Sequence, residues 1–156
     1  MKTSNAAATM PAYRPSHWII LHLVNPLTRL LVGRLGLDDH DGTRILEVKG
    51  RISGVWHANP VRLLELDGRR YLIALQGETQ WVRNLRVQRV GRLRLASHVT
   101  DFRAVELADT DKLPVLRAYF RHWWSQSAAL TTVTSPDAAN EEITKAAPMH
   151  PVFMLE

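Results

Sequence analysis

The sequence reads as an α+β protein, a small antiparallel β-barrel with flanking helices. Three observations lead there. Strand-like stretches follow one another closely between residues 44 and 107, each too short for anything but a hairpin-built sheet. An Asp67-Gly68 pair divides two apolar runs, and glycine accepts the positive φ that a tight hairpin turn demands. A longer amphipathic stretch, 109–130, then follows as the principal helix. Closing the sheet into a barrel removes the edges that its arginine-rich strands would otherwise expose.

Composition narrows what such a barrel can do. The 156 residues include 46% hydrophobic and 22% charged side chains, enough for one real core. A formal net charge of +5 favours anionic partners: nucleic acid, acidic lipid or a phosphate-bearing cofactor. The absence of cysteine excludes disulfides, thiolate nucleophiles and Cys-ligated metals, and suits a reducing, cytoplasmic setting. None of the seven histidines falls in an HExxH or similar ligand pair, no catalytic triad is legible, and no metal is expected.

In chain order, Met1–Pro15 reads as a flexible tail and 16–156 as a single barrel domain. The tail lacks the continuous apolar core of a secretory signal. Residues 16–36 read as two short helices broken at Asn25-Pro26, since proline starts helices but cannot continue them. His22, that break and Arg29 argue against a membrane span, which needs about 20 apolar residues. Trp18 and the flanking arginines leave peripheral membrane contact through 17–35 open. Asp38, Asp39, His40 and Asp41 lack the spacing of a calcium loop and read as a solvated turn. Strands are expected at 44–49, 61–66 and 71–76, a short helix at 80–88 with Trp81 and Leu85 inward, and a hairpin of 91–96 with 102–107 around Ser97-His98. Asp111 is the expected N-cap of the helix over 109–130, 131–142 a polar connection, and 152–155 a closing strand.

The chemistry concentrates in residues 49–86. Gly50-Arg51-Ile52-Ser53-Gly54 joins flexible backbone to a guanidinium and a hydroxyl, a combination that suits a phosphate. With Asn59-Pro60-Val61, Asp67-Gly68-Arg69-Arg70-Tyr71 and Trp81-Val82-Arg83-Asn84-Leu85-Arg86, this turn resembles the deazaflavin-dependent nitroreductase family of split β-barrel oxidoreductases. The resemblance covers Thr43 to Leu95 and extends more loosely to His150-Pro151-Val152-Phe153. It implies an FMN-binding-like split barrel that holds the deazaflavin F420 (8-hydroxy-5-deazaflavin) or, as the alternative, FMN. On that resemblance Arg51, Ser53, Gly54 and His57 would hold the charged tail. Pro60 and Val61 would press backbone against the ring, and Ala74, Gln76 and Gly77 would line the opposite approach. Trp81 would wall the site, while Asn84 and Arg86 would fix the helix and contact anionic groups.

The sequence departs from the family's pattern in places. Ile52 stands where a second basic residue is common, His57 at an arginine position, and Met149 where an arginine is expected. Histidine is a weaker, pH-dependent cation, so the loss of fixed charge leaves room for FMN. Tyr119 is the candidate donor to substrate, although its neighbours Leu116, Phe120 and Trp123 also suit packing. The expected activity is hydride transfer from a reduced deazaflavin to a small hydrophobic electrophile, such as a quinone or nitro compound. The alternative is a non-catalytic protein that binds or sequesters the same cofactor. Nucleic-acid binding is disfavoured because the arginines alternate along strands instead of clustering with aromatics. Oligomeric state is left open.

Overall fold

The computed structural model describes residues 42–156. The expected tail, the expected helices of 16–36 with their membrane contact, and the acidic turn at 38–41 lie outside the described residues. Strands β1 (Thr43–Lys49), β2 (Trp56–Leu66), β3 (Arg69–Ile73), β4 (Val90–Leu95), β5 (His98–Glu106) and β6 (Val152–Leu155) close into an antiparallel barrel in the order β1-β2-β3-β6-β5-β4. The α+β architecture is therefore as expected. Helices α1 (Gln80–Gln88), α2 (Leu113–Ser127) and α3 (Asn140–Ala146) complete it.

Side-chain alternation builds two cores on either side of one sheet. Leu63, Leu72, Phe153 and Leu155 point into the barrel, where they meet Leu46, Val48, Leu93 and Phe102. Their neighbours Leu64, Tyr71, Ile73 and Val152 point outward and pack under α2 and α3, against Leu116, Tyr119, Phe120, Trp123 and Ile143. A strand covered on both faces carries aliphatic residues at consecutive positions, which is why β2 runs Leu63-Leu64. Helix α1 sends Val82 and Leu85 into the barrel core. It thus stoppers the barrel, while Arg83 faces solvent.

The Asp67-Gly68 turn forms as expected, with φ of 51° and 73°, the double positive φ of a primed hairpin turn. Several boundaries differ from expectation. β2 begins at Trp56, because the Gly50 turn pairs Lys49 with Trp56 directly. β5 likewise begins at His98, pairing with Leu95 across a turn in which Ala96 has φ 50°. β3 stops at Ile73 rather than Gln76. From Ala74 the chain turns out of the sheet toward α1, with Gly77 N–H bonded to Ala74 O at 3.2 Å.

The expected helix over 109–130 is three pieces. Asp109–Asp111 and Ala128–Leu130 are 3₁₀ turns, and the α-helix proper starts at Leu113 with Lys112, not Asp111, at its N-cap. Pro114 accounts for the start, since it lacks an N–H and suits a first turn. Trp123 is kinked (φ −126°, ψ 39°). The 131–142 connection ends in α3, whose first turn holds Glu141 and Glu142 and whose last holds Lys145, charges that favour the respective ends of the helix dipole.

Beneath this outer layer His150 is almost wholly buried. Its Nε2 shares a hydrogen bond with Thr131 Oγ1 at 3.0 Å, and its ring meets Phe120 edge-on. Its Nδ1 completes no hydrogen bond of good geometry, although the backbone of Leu75 and Ala74 lies near it. Burial lowers its pKa, the nearby backbone of Leu75 opposes that shift, and the charge on Lys112 adds to it. The folded state therefore binds a proton less readily than the unfolded chain, whose imidazole titrates near 6.5. Stability should be full above that value and fall as pH drops below it. Urea midpoints measured from pH 8 to pH 5 are expected to decline more steeply for the native protein than for His150→Gln.

Candidate functional site at the barrel rim

Four segments frame a cleft of about 330 Å³, near the lower end of the range for ligand sites, roughly 300–1,000 Å³. Pro60, Val61 and Arg62 come from β2, Ile73 to Gln76 from the end of β3, Thr79 and Trp81 from the start of α1, and Tyr119 and Gln126 from α2. β3 ends at Ile73, so Ala74, Leu75 and Gln76 line the cleft after leaving the sheet. Trp81 is fixed from behind by Phe153, ring centroids 6.0 Å apart. Tyr119 packs on Trp123 at 4.8 Å, and Arg62 lies over the Trp123 ring at 5.8 Å.

The polar edge of this cleft carries an anomaly. Thr79 occupies the N-cap position of α1, yet its hydroxyl makes no capping bond. Its Oγ1 is buried and has no hydrogen-bond partner among the described residues. A buried hydroxyl left unsatisfied costs about 1–3 kcal/mol; the atom itself is closed off from solvent. Apolar Pro60, Val61 and Trp81 on the walls, with Thr79 and Gln76 on the rim, fit a flat heteroaromatic ring with a polar edge.

Of the residues singled out from sequence, the cleft brings together Pro60, Val61, Ala74, Gln76, Trp81 and Tyr119. Arg51, Ser53, Gly54 and His57 do not line it: the first three stand on the β1–β2 turn, which is strapped to α1, and His57 lies in β2 opposite Val48. Arg51 donates its backbone N–H to Asn84 Oδ1 (3.2 Å), and its Nη1 reaches Asn84 Oδ1 (2.9 Å) and Gln80 Oε1 (3.0 Å). Its Nε and Nη2 have no hydrogen bond among the described residues. Ser53 Oγ accepts from Val55 N at 3.3 Å. A methyl at Gly50 would lie 2.5 Å from that hydroxyl and 2.9 Å from His57 Nε2, so the turn's tightness depends on glycine there.

Gly77 (φ 71°) sits in the turn between β3 and α1, and buried Asn84 serves as the strap. Arg86 is engaged elsewhere, clamped between Glu106 and Glu78. Hydrogen bonds to Glu106 first and Glu78 second hold its guanidinium charged. It lines a different cleft. Ile52, at the family's second basic position, is an exposed apolar side chain. Thr43, Arg62, Thr79, Gln126 and Leu130 also line the rim cleft and were not foreseen. Thr79 alone carried a signal, standing directly before the expected helix.

Searches with protein-family models and against curated proteins found no match. Solved structures do match. A domain-swapped dimer aligns with TM-score 0.53 and 16% identity, over 92% of this chain and all of its own. A candidate 5-nitroimidazole antibiotic resistance protein from Bacteroides thetaiotaomicron aligns with TM-score 0.50 and 10% identity, over 74% of this chain and 72% of its own. An F420-H2-dependent reductase aligns with TM-score 0.49 and 14% identity, over 74% of this chain and 94% of its own. At these identities the likeness is one of fold: the chain is a small α+β split β-barrel.

Proposed function

We propose that the protein is an oxidoreductase that holds a flavin-type cofactor, F420 before FMN, in the rim cleft. There it would reduce a small electrophilic acceptor such as a nitro compound or quinone. The observation that carries this reading is the slot itself. The middle of β2, the end of β3 and Trp81 frame about 330 Å³, with Gln76, and Thr79 at the start of α1, also lining it and the Arg51 turn braced to the same helix through Gln80 and Asn84. The order of the motifs from Gly50 to Arg86 and the split-barrel fold support it. So does the nitroimidazole-resistance description carried by a protein of the same fold.

A reduced deazaflavin bound here would supply the hydride. The chain's own contribution is binding and alignment. Pro60, Val61 and Trp81 would exclude water from the ring faces, and Gln76 would meet the ring edge. The unused Nε and Nη2 of Arg51 would meet a phosphate, a pairing that guanidinium geometry favours. Tyr119 would donate to the acceptor as charge develops on it.

Fluorescence titration of the purified protein with F420 and with FMN tests this directly. Saturable quenching by one or both at micromolar concentration is expected, followed by acceptor-dependent oxidation of the reduced cofactor. Absence of binding by both at tens of micromolar would remove the reading. Binding without oxidation would identify a sequestering protein instead.

A further inference from the structure

Much of the positive charge among the described residues is matched locally. Arg86 pairs with Glu106 and Glu78, Arg92 with Asp101, Arg94 with Glu47, Lys112 with Asp109 and Arg121 with Asp137. Arg89 and Arg103 differ. Neither guanidinium has a hydrogen-bond or ion-pair partner among the described residues. Both line one cleft of about 460 Å³, with Leu85, Arg86, Glu106 and Phe153 among its other walls.

The fold brings the backbones of these two residues together. Arg89 O accepts from Ala104 N at 2.8 Å, and Val90 is paired with Arg103. Glu106 is the single carboxylate lining this cleft, and Arg86 already holds it at 2.7 and 2.8 Å. Neither Arg89 nor Arg103 is ion-paired with it; the acidic residue next to Arg103 is Glu156, its cross-strand neighbour, which lines a second cleft with Arg103 and Asp101. Arg89 also sits at the C-cap of α1 with φ 57°, a left-handed position where glycine is easiest. A cation at a helix C-terminus offsets part of that strain. It does not account for Arg103, which comes from another strand.

We propose that Arg89 and Arg103 form an oxyanion site, distinct from the rim cleft, that takes a phosphoryl or pyrophosphoryl group of a small molecule. Two guanidinium groups across a concave surface suit a polyvalent phosphate better than a single carboxylate, because each can present paired donors. The two clefts meet α1 at opposite ends. Thr79 and Trp81 line one, and Leu85, Arg86 and Arg89 line the other, roughly 6 to 12 Å further along the axis from Trp81 at 1.5 Å per residue.

Calorimetric titration of the full chain with inorganic pyrophosphate, at balanced ionic strength, is the test. One saturable site is expected, weakened at least tenfold by Arg103→Gln and by Arg89→Gly. Arg83→Gln, on the exposed face of α1, should change it less than twofold. Because Arg89→Gly relieves the left-handed strain, its melting temperature should hold or rise, which separates lost binding from lost folding. No saturable binding, binding indifferent to both variants, or equal weakening by Arg83→Gln would overturn the proposal. Competition between pyrophosphate and bound FMN or F420 would overturn the claim of a distinct site. Unchanged affinity in their presence would support it.

Discussion

Asn84→Leu is expected to weaken cofactor binding at least tenfold. The Asn84 carboxamide oxygen accepts both the backbone N–H of Arg51 and its Nη1, so one buried side chain ties the phosphate-suited turn to the helix that carries Trp81. Leucine fills similar space and offers no acceptor. The turn then loses its tie, and the half-buried Arg51 amide loses its partner, at about 1–3 kcal/mol. Asn84→Asp keeps the acceptor and adds a charge opposite Arg51, so its affinity should stay within a few-fold of native. Fluorescence titration reads the binding, and urea unfolding reads the stability. If Asn84→Leu binds as the native protein does, the turn has no part in the site.

Phe153→Ala carries the largest expected loss of stability, about 3–5 kcal/mol. The ring is 1% exposed and lies in the barrel interior, where it also backs Trp81. Small domains are stable by only about 5–15 kcal/mol, so the variant should unfold at a much lower urea midpoint. Its tryptophan emission should shift to the red as Trp81 loses its support. Phe153→Leu should cost much less, because it leaves a smaller void. A midpoint within experimental error of native for Phe153→Ala would mean that the barrel interior is not packed as described.

Legibility followed the range of the interaction. The Asp67-Gly68 hairpin, the strand at β1 and helix α1 are specified by neighbours in sequence, and each appeared where expected. The double-sided character of β2 was visible in Leu63-Leu64 for the same reason. Helix α3 was not. Its apolar face, Ile143 with Ala146, is short and means little until α2 is set above it. The Trp123 kink and the early end of β3 carried no such local signal either.

The site divides in the same way. Pro60, Val61 and Trp81 stood in an ordered motif set, and Ala74 and Gln76 were implied by the resemblance it carries, while Thr43, Gln126 and Leu130 reach the cleft through barrel closure and α2. Arg86 stood in the motif as well. Its engagement by Glu106 depends on β5 lying beside α1, which a linear reading does not reveal.

Strand β6 is the last in chain order, yet it lies between β3 and β5 and hydrogen-bonds to both. A nascent chain leaving the ribosome would therefore carry two open sheet edges until Val152–Leu155 emerged to join them. Through that interval the edge groups of Arg69–Ile73 and Ala104–Glu106 would be free to pair with another chain. Chaperone dependence during synthesis should follow from this late stitch, and not from any weakness of the finished barrel.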